Sequence, residues 1–223
     1  DSEVGLISYS TLGGDKPFAA LVSFALHLDT VGGPQYSGDY PKHLQDALRT
    51  EFGEEFLSLF GAGTCGDINH VDVTIRGRRT AHEIGNMLAE TVGKDLKQLP
   101  SVESPNLAVR QTVVNAPLQK YTPEQTQAAA VGMESVADSK VPFLKRVENY
   151  KITALAQRGG DTIPLEVQAI RLSDDVAIVT LPGEIFVELG MAIKQASPFA
   201  TTLVIELAND APGYIPTQKA FTD

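Results

Sequence analysis

Cysteine, basic residues and long apolar runs are all scarce in this sequence. The only cysteine, Cys65, cannot form a disulfide within the chain, and one cysteine cannot build a cysteine-type zinc finger. No apolar run approaches the ~20 residues that a membrane-spanning helix needs. The 18 lysines and arginines are outnumbered by 28 aspartates and glutamates, which gives a net charge of −10. Because nucleic acids and anionic membranes attract basic surfaces, we expect neither of them as a partner, and we expect no transmembrane segment.

What the sequence does contain is typical of a soluble globular protein. The 223 residues are 43% hydrophobic and 21% charged, which is enough for one large domain with a substantial core. No repeat, low-complexity segment or clear boundary divides the chain, so we predict a single domain over residues 1–223. The chain begins Asp-Ser-Glu with no visible signal peptide, which indicates a mature form or a piece of a longer protein. Neither the compartment nor the oligomeric state follows from these features.

Predicted strands and helices alternate along the chain, which indicates an α/β fold with a mixed β-sheet flanked by helices. Short apolar or alternating runs predict strands, and apolar residues at helical spacing predict helices. Thr122 followed by Pro123 is a helix start, and Ser37 to Asp39 can cap an earlier helix. The predicted strands cover residues 4–10, 18–27, 56–60, 107–114, 162–172, 176–181 and 202–207. The predicted helices cover residues 40–52, about 81–99, 122–137 and 142–156, with a last one after residue 184.

The stretch from Val176 to Leu189 predicts a buried strand, a tight turn at Pro182 and Gly183, and the start of a helix. Glu184 would then lie at the helix N-terminus, where the helix dipole favours an ionised carboxylate. An ionised carboxylate suits a metal ligand or an electrostatic partner of a substrate. The alternative is that Glu184 serves only the end of the helix.

Polar residues follow four of the predicted strands, and a sheet that brings such ends to one edge forms a pocket. They are His27 with Asp29, the loop Gly66 to His70, Glu184, and Asn209, Asp210 and Tyr214. Histidine and glutamate are common zinc ligands, and an open coordination position activates a water molecule. Each residue also has an ordinary structural explanation. His27 can be a hydrogen-bonded structural residue, Asp67 a turn former, Tyr214 a buried aromatic and Cys65 a small buried side chain.

Five short motifs occur in a fixed order along residues 4–221. They are Ser-Phe-Ala-Leu-His at 23–27, Ser-Gly-Asp-Tyr-Pro at 37–41, Gly-Asp-Ile-Asn at 66–69, Leu-Pro-Gly-Glu at 181–184 and Gly-Tyr-Ile-Pro-Thr at 213–217. In this order they resemble motifs of the catalytic domain of the neutral/alkaline (non-lysosomal) ceramidases. The resemblance is to bacterial relatives of unassigned substrate in particular.

The resemblance implies a zinc-dependent hydrolase of lipid metabolism. In that family two histidines, a glutamate and a tyrosine hold Zn²⁺, and a water activated by the metal cleaves the amide bond of ceramide. Carried over, the ligands here are His27, Glu184 and Tyr214, and Asp67 lies in the loop beside the metal. Imidazole, carboxylate and phenolate oxygen all bind Zn²⁺. The implied substrate is a small-molecule or lipid-like N-acyl compound, and the implied location is secreted or periplasmic.

Two departures from the family pattern affect the site. The family's other histidine ligand belongs to an upstream Thr-His-x-His-Ser-Gly-Pro motif that has no counterpart here, and the family's C-terminal immunoglobulin-like domain is also missing. We therefore expect this chain to be a fragment. Asn69 stands where the family has a catalytic serine, and His70 stands where it has proline. Asn69 can donate a hydrogen bond to a developing oxyanion but cannot be a nucleophile.

Three functional hypotheses follow from the sequence. In the leading one, a zinc-activated water cleaves an amide bond, Asp67, Asn69 and His70 are the catalytic residues, and Asp29 orients His27. In the second, the chain is a non-catalytic binding module that keeps the family's pocket. In the third, Cys65 and His70 form a cysteine-dependent active site.

Overall fold

The computed structural model describes residues 1–14, 16–72, 74, 77–102 and 104–221. The chain divides into two compact units. One contains residues 1–112 and the chain from residue 166 onwards, and the other contains residues 113–165. The predicted α/β class with sheets flanked by helices is confirmed, because both units combine strands with helices. No helix in the described part of the chain combines the length and the apolar composition needed to cross a bilayer.

A three-stranded sheet opens the first unit. Strand β1 (Gly5–Ser10) is antiparallel to β2 (Pro17–Phe24), and β2 is parallel to β3 (Leu57–Ala62). Helices α1 (Asp39–Phe52) and α2 (Ala81–Asp95) contribute the main core together with the sheet. The core residues with no exposed surface are Ala20, Val22, Tyr40, Leu44, Leu48 and Val92.

Two details of this sheet differ from the sequence prediction. Strand β2 ends at Phe24, so His27 lies in the loop beyond the strand. Strand β3 is an edge strand, and its Leu57 and Leu59 are 50% and 55% exposed, although the apolar run over residues 56–60 predicts a buried strand. The sequence pattern could not distinguish these cases, because burial of a strand depends on which elements pack against the faces of its sheet.

Side-chain caps explain the starts of two of the five α-helices in the described residues. Helix α2 begins with a capping box of Thr80 and Glu83, and Thr122 caps the next helix as predicted. The N-cap of α1 is Gly38, inside the predicted range Ser37 to Asp39, and it has no side chain to form a cap. Ser37 Oγ accepts from Asp39 N at 3.0 Å, and Asp39 Oδ1 accepts from Tyr40 N at 2.7 Å. Asp39 instead has φ of +48° and turns its carboxylate back to the preceding loop.

The second sheet has the order β4-β5-β6-β8. It contains β4 (Pro105–Pro117), β5 (Thr162–Ser173), β6 (Val176–Thr180) and β8 (Thr201–Ile205). The predicted antiparallel pairing of β5 with β6 is confirmed, and β6 is parallel to β8 with α5 (Val187–Ala196) between them in the chain. A two-stranded parallel sheet joins β7 (Glu184–Ile185) to β9 (Tyr214–Ile215).

The second unit is largely helical. It contains α3 (Pro123–Gly132), which continues as a 3₁₀ turn over Met133–Ser135, and α4 (Phe143–Arg158). The two helices pack together with Ala129 and Ile152 buried. Strand β4 ends in this unit, and strand β5 begins in it.

Within the first unit, backbone hydrogen bonds bring the loops after β2, β3, β6 and β8 together. Glu206 N donates to Ala62 O at 2.9 Å, which joins the end of β8 to the end of β3. Gly66 N donates to Ile185 O at 2.8 Å, so the loop after β3 lies against β7. A Cβ on Gly66 would be 2.6 Å from Glu184 O, and therefore only glycine permits this approach.

Candidate functional site

A cleft of about 420 Å³ opens where these loops meet. Its lining residues come from the loops after β2 and β3 and from the segments around β7 and β9. They are His27, Asp29, Gly66, Asp67, Ile68, Asn69, Phe186, Tyr214 and Pro216. The cleft thus collects residues from the predicted polar strand ends, all within the first unit.

Two of the three predicted metal ligands, His27 and Tyr214, line this cleft, and the third, Glu184, lies in the strand that pairs with the strand of Tyr214. The ring of His27 lies 6.3 Å from that of Tyr214, centroid to centroid, and the rings are nearly perpendicular. Glu184 is in register with Tyr214 across the parallel pair β7 and β9. Partial burial and the charge of Glu184 raise the pKa of Tyr214. Tyr214 is 61% exposed, so it is not the buried aromatic of the structural alternative. Metal ligation by these residues stays a prediction.

Glu184 does not lie at the end of a helix. It belongs to β7, and helix α5 begins only at Val187. The carboxylate at the helix N-terminus is that of Asp67, whose Oδ1 accepts from Val187 N at 2.7 Å. Asp67 therefore takes the position that favours negative charge beside the helix dipole. The Glu184 side chain faces Tyr214, and the explanation that it serves only the helix end does not fit the structure.

Behind His27, away from the cleft lining, lies a buried pair of ionisable side chains. Cys65 Sγ is 3.7 Å from Nδ1 of His27 and donates to Glu206 Oε1 at 3.0 Å. The other carboxylate oxygen of Glu206 accepts from Ile185 N at 2.6 Å. Cys65 is 1% exposed and Glu206 is 2% exposed. This pair ties the loop after β3 to the ends of β7 and β8.

Burial is the main reason that the pKa of the Cys65 thiol is raised well above its usual range, and the hydrogen bond to Glu206 adds to it. Burial also raises the pKa of Glu206. A reactive cysteine needs a thiolate at neutral pH, whereas this environment keeps the thiol protonated. The histidine beside Cys65 is His27, so the arrangement does not favour the hypothesis of a Cys65–His70 active site.

Glu206 was missed by the sequence reasoning. It ends the apolar run of β8, and a charged residue in such a run is the signal that could have identified it, because buried charges need partners. A carboxylate oxygen of Glu206, Cys65 Sγ and a ring nitrogen of His27 all lie within 4.8 Å of one another. No other group of three histidine, cysteine or acidic side chains in the described residues meets this criterion.

The Asp29 side chain contacts His70 and not His27, the histidine nearer to it in sequence. Its Oδ1 lies 3.0 Å from Nδ1 of His70. The His70 side chain is 6% exposed and that of Asp29 is 55% exposed, so the imidazole lies behind the carboxylate that lines the cleft. The expected role of Asp29 in orienting His27 is thus filled by Cys65, which faces Nδ1 of that ring.

Asn69 lines the cleft with one of its polar atoms already occupied. Its Oδ1 accepts from Val71 N at 3.0 Å, which fixes the orientation of the amide group. The remaining polar atom, Nδ2, carries two N–H donors. The position therefore offers a hydrogen-bond donor and no nucleophile.

These donors fit a divalent metal ion of the zinc type. An imidazole and a phenol line the cleft, and a buried thiol and carboxylate lie behind the imidazole. Nitrogen, sulfur and carboxylate oxygen are the ligand atoms of protein zinc sites. Asp29 and Asp67 add negative charge at the lining, which attracts a cation into the cleft.

Comparison with known proteins establishes the fold. No protein-family model matches the chain, and no curated protein matches it significantly. The solved neutral ceramidase from Pseudomonas aeruginosa is 13% identical, with a TM-score of 0.61 over 97% of this chain and 41% of that chain. A solved structure described as ceramidase complexed with C2 is 12% identical, with a TM-score of 0.62 over 97% of this chain and 42% of that one. The chain therefore has the fold of a segment that spans about two fifths of these ceramidase chains.

Proposed function

We propose that the protein is a metal-dependent hydrolase that cleaves the amide bond of an N-acyl compound. The observation that carries the proposal is that an imidazole and a phenol line one cleft of a ceramidase-like fold, with Glu184 in the strand paired beside the phenol. His27, Glu184 and Tyr214 would hold the ion. Zn²⁺ bound there would polarise the carbonyl of the substrate and lower the pKa of a bound water.

The other cleft residues support the remaining parts of amide hydrolysis. Negative charge develops on the carbonyl oxygen as water adds to the carbonyl carbon, and Asn69 Nδ2 can donate a hydrogen bond to it. When the carbon–nitrogen bond breaks, the leaving nitrogen must take a proton. Asp29 lines the cleft and contacts His70, and together these two groups can transfer this proton as an acid–base pair.

The cleft lining also argues for the type of substrate. Asp29 and Asp67 repel anionic compounds, so a neutral N-acyl compound is favoured over a phosphate ester or a free carboxylate. Ile68, Phe186 and Pro216 supply the apolar surface against which an acyl chain can pack. Lipid-like amides such as ceramides belong to this class.

The test is hydrolysis of a panel of N-acyl compounds by the full-length protein, with and without a chelator. The panel should contain short-chain ceramides and N-acyl amino acids, and bound metal should be measured in parallel. We expect turnover that the chelator abolishes, and loss of both metal and turnover in His27→Ala and Glu184→Gln. His82→Ala, at an exposed histidine of α2, is the control and should keep both.

Two results would contradict the proposal. One is turnover that does not respond to the chelator, and the other is an unchanged metal content in both variants. Tight binding of an N-acyl compound without turnover in the metal-loaded protein would instead support the non-catalytic binding module.

A further inference from the structure

We propose that Cys65 and Glu206 are metal ligands, and that with His27 they bind a zinc-type divalent ion from the buried wall of the cleft. The inference rests on the metal dependence of the proposed function but not on the reaction. It adds a thiolate and a second carboxylate to the ligands that the motifs suggest. Glu184 and Tyr214 remain on the cleft side of the site.

The spacing of the three side chains matches a tetrahedral zinc site. With Zn–S bonds of about 2.3 Å and Zn–N bonds of about 2.0 Å, the sulfur and nitrogen of such a site are about 3.6 Å apart. Cys65 Sγ and His27 Nδ1 are 3.7 Å apart. Cys65 Sγ and Glu206 Oε1 are 3.0 Å apart, the length of their hydrogen bond, and would separate by about 0.5 Å when an ion replaces the proton.

Backbone hydrogen bonds hold the two buried ligands in place. Glu206 is fixed by its own N–H to Ala62 O at 2.9 Å and by Ile185 N, which donates to its Oε2 at 2.6 Å. Cys65 begins a turn in which its carbonyl accepts from Ile68 N at 2.9 Å. Little rearrangement is therefore needed for binding, which lowers the entropic cost of forming the site.

The burial of two ligands favours metal binding, and the exposure of the third ligand to the cleft provides an entrance. A carboxyl group and a thiol that are 2% and 1% exposed have lost most of their hydration, and a divalent ion offsets that loss. His27 is only partly buried and lines the cleft, so an ion can reach the group from that side.

Binding exchanges a proton for the ion. The S–H bond of Cys65 breaks, its electron pair is donated to the metal, and the proton passes to solvent. The Glu206 oxygen that accepted this S–H then faces the ion. No oxidant or reductant takes part.

The experiment is Co²⁺ titration of the metal-free full-length protein, followed by absorption spectroscopy. A cobalt–thiolate bond gives a charge-transfer band in the near ultraviolet, which imidazole and carboxylate ligands do not give. Because Cys65 is the only cysteine, the band in the unmodified protein identifies the ligand without any variant. We expect the band to saturate at one cobalt per chain.

Three variants complete the test. Cys65→Ser should lose the band, His82→Ala should keep it, and Glu206→Gln should weaken cobalt binding at least about tenfold. Cobalt that binds without a near-ultraviolet band, or fails to bind at all, would overturn the inference. Metal-dependent hydrolysis without the band would refute this site and support the proposed function. The band without hydrolysis would support this site and contradict the proposed function.

Discussion

Two kinds of polar group lie in and behind the loops that form the cleft, and they differ in burial and in what they hold together. Cys65, Glu206 and Asp39 are at most 5% exposed, and each makes its hydrogen bonds inside the protein. Asp29 and Tyr214 are more than half exposed and line the cleft. The buried groups fix the positions of the loops, and the exposed groups are available to a ligand.

The difference is one of free-energy cost. Removing one partner of a buried hydrogen bond leaves a donor or acceptor without water, whereas an exposed group exchanges its partner for solvent. Substitutions in the buried set should therefore lower the free energy of unfolding. Substitutions in the exposed set should lower activity and leave stability almost unchanged.

The largest effect on stability is expected for Asp39→Ala. The Asp39 carboxylate accepts from Thr30 N, Thr30 Oγ1, Val31 N and Tyr40 N, and thereby holds the loop that follows His27. Alanine leaves these donors unpaired and must also adopt the φ of +48°, which disfavours it. We expect the free energy of unfolding to fall by about 3–4 kcal/mol, measured by urea denaturation.

Two variants control that measurement. Asp39→Asn keeps an acceptor oxygen and tolerates the left-handed backbone, so it should cost about half as much. Asp46→Ala removes an exposed carboxylate paired with Lys42 and should change stability by less than about 0.5 kcal/mol. A loss below about 1 kcal/mol in Asp39→Ala would break the division between buried and exposed groups.

The largest effect on activity is expected for Asn69→Ala. Loss of one hydrogen-bond donor to a developing oxyanion typically lowers kcat about 100-fold. Asn69→Asp keeps the acceptor for Val71 N but removes the Nδ2 donor, so it should be equally inactive. Steady-state kinetics on the substrate found in the N-acyl panel gives kcat and KM separately. Unchanged kcat in both variants would show that Asn69 does not act on the carbonyl oxygen.

The sequence predicts the exposed side of the cleft better than the buried side. His27, Asp67, Asn69 and Tyr214 follow apolar strands in short motifs, and all of them line the cleft. Polar residues directly after a buried strand are recognisable because the hydrophobic pattern stops at them. The α/β class and the antiparallel pair β5–β6 were predictable for the same local reason.

The buried side depends on contacts between distant residues, which no local pattern encodes. Cys65 and Glu206 are 141 positions apart, and their pairing exists only after β8 lies beside the loop that follows β3. The placement of Glu184 failed for the same reason. Its turn pattern predicts a helix start, but pairing with Tyr214 draws residues 184 and 185 into a strand.

A smaller effect on stability is expected for Asp67→Ala. Asp67 is exposed, yet its Oδ1 accepts from Val187 N at the start of α5, 120 positions away. Its removal should cost about 1 kcal/mol, as for other capping side chains, and Asp67→Asn should cost less. Urea denaturation measures both variants. A loss as large as that of Asp39→Ala would mean that burial is the wrong criterion and that the reach of the hydrogen bond along the chain decides the cost.

The smallest effect on stability is expected for Glu83→Gln, at an exposed carboxylate outside the cleft lining. Glu83 accepts hydrogen bonds from Thr80 N and Thr80 Oγ1 at the start of α2, and these bonds lower the pKa of Glu83. A lowered pKa in the folded state means that the stabilisation is complete above pH 4.5, the ordinary value, and is lost as the pH falls through the folded-state pKa. Glu83→Gln keeps the capping geometry without the charge. Urea denaturation at neutral and acid pH should therefore show a small advantage of the wild type at neutral pH that disappears in acid. An advantage that persists in acid would assign the effect to side-chain geometry, because protonation would then leave the contribution of Glu83 unchanged.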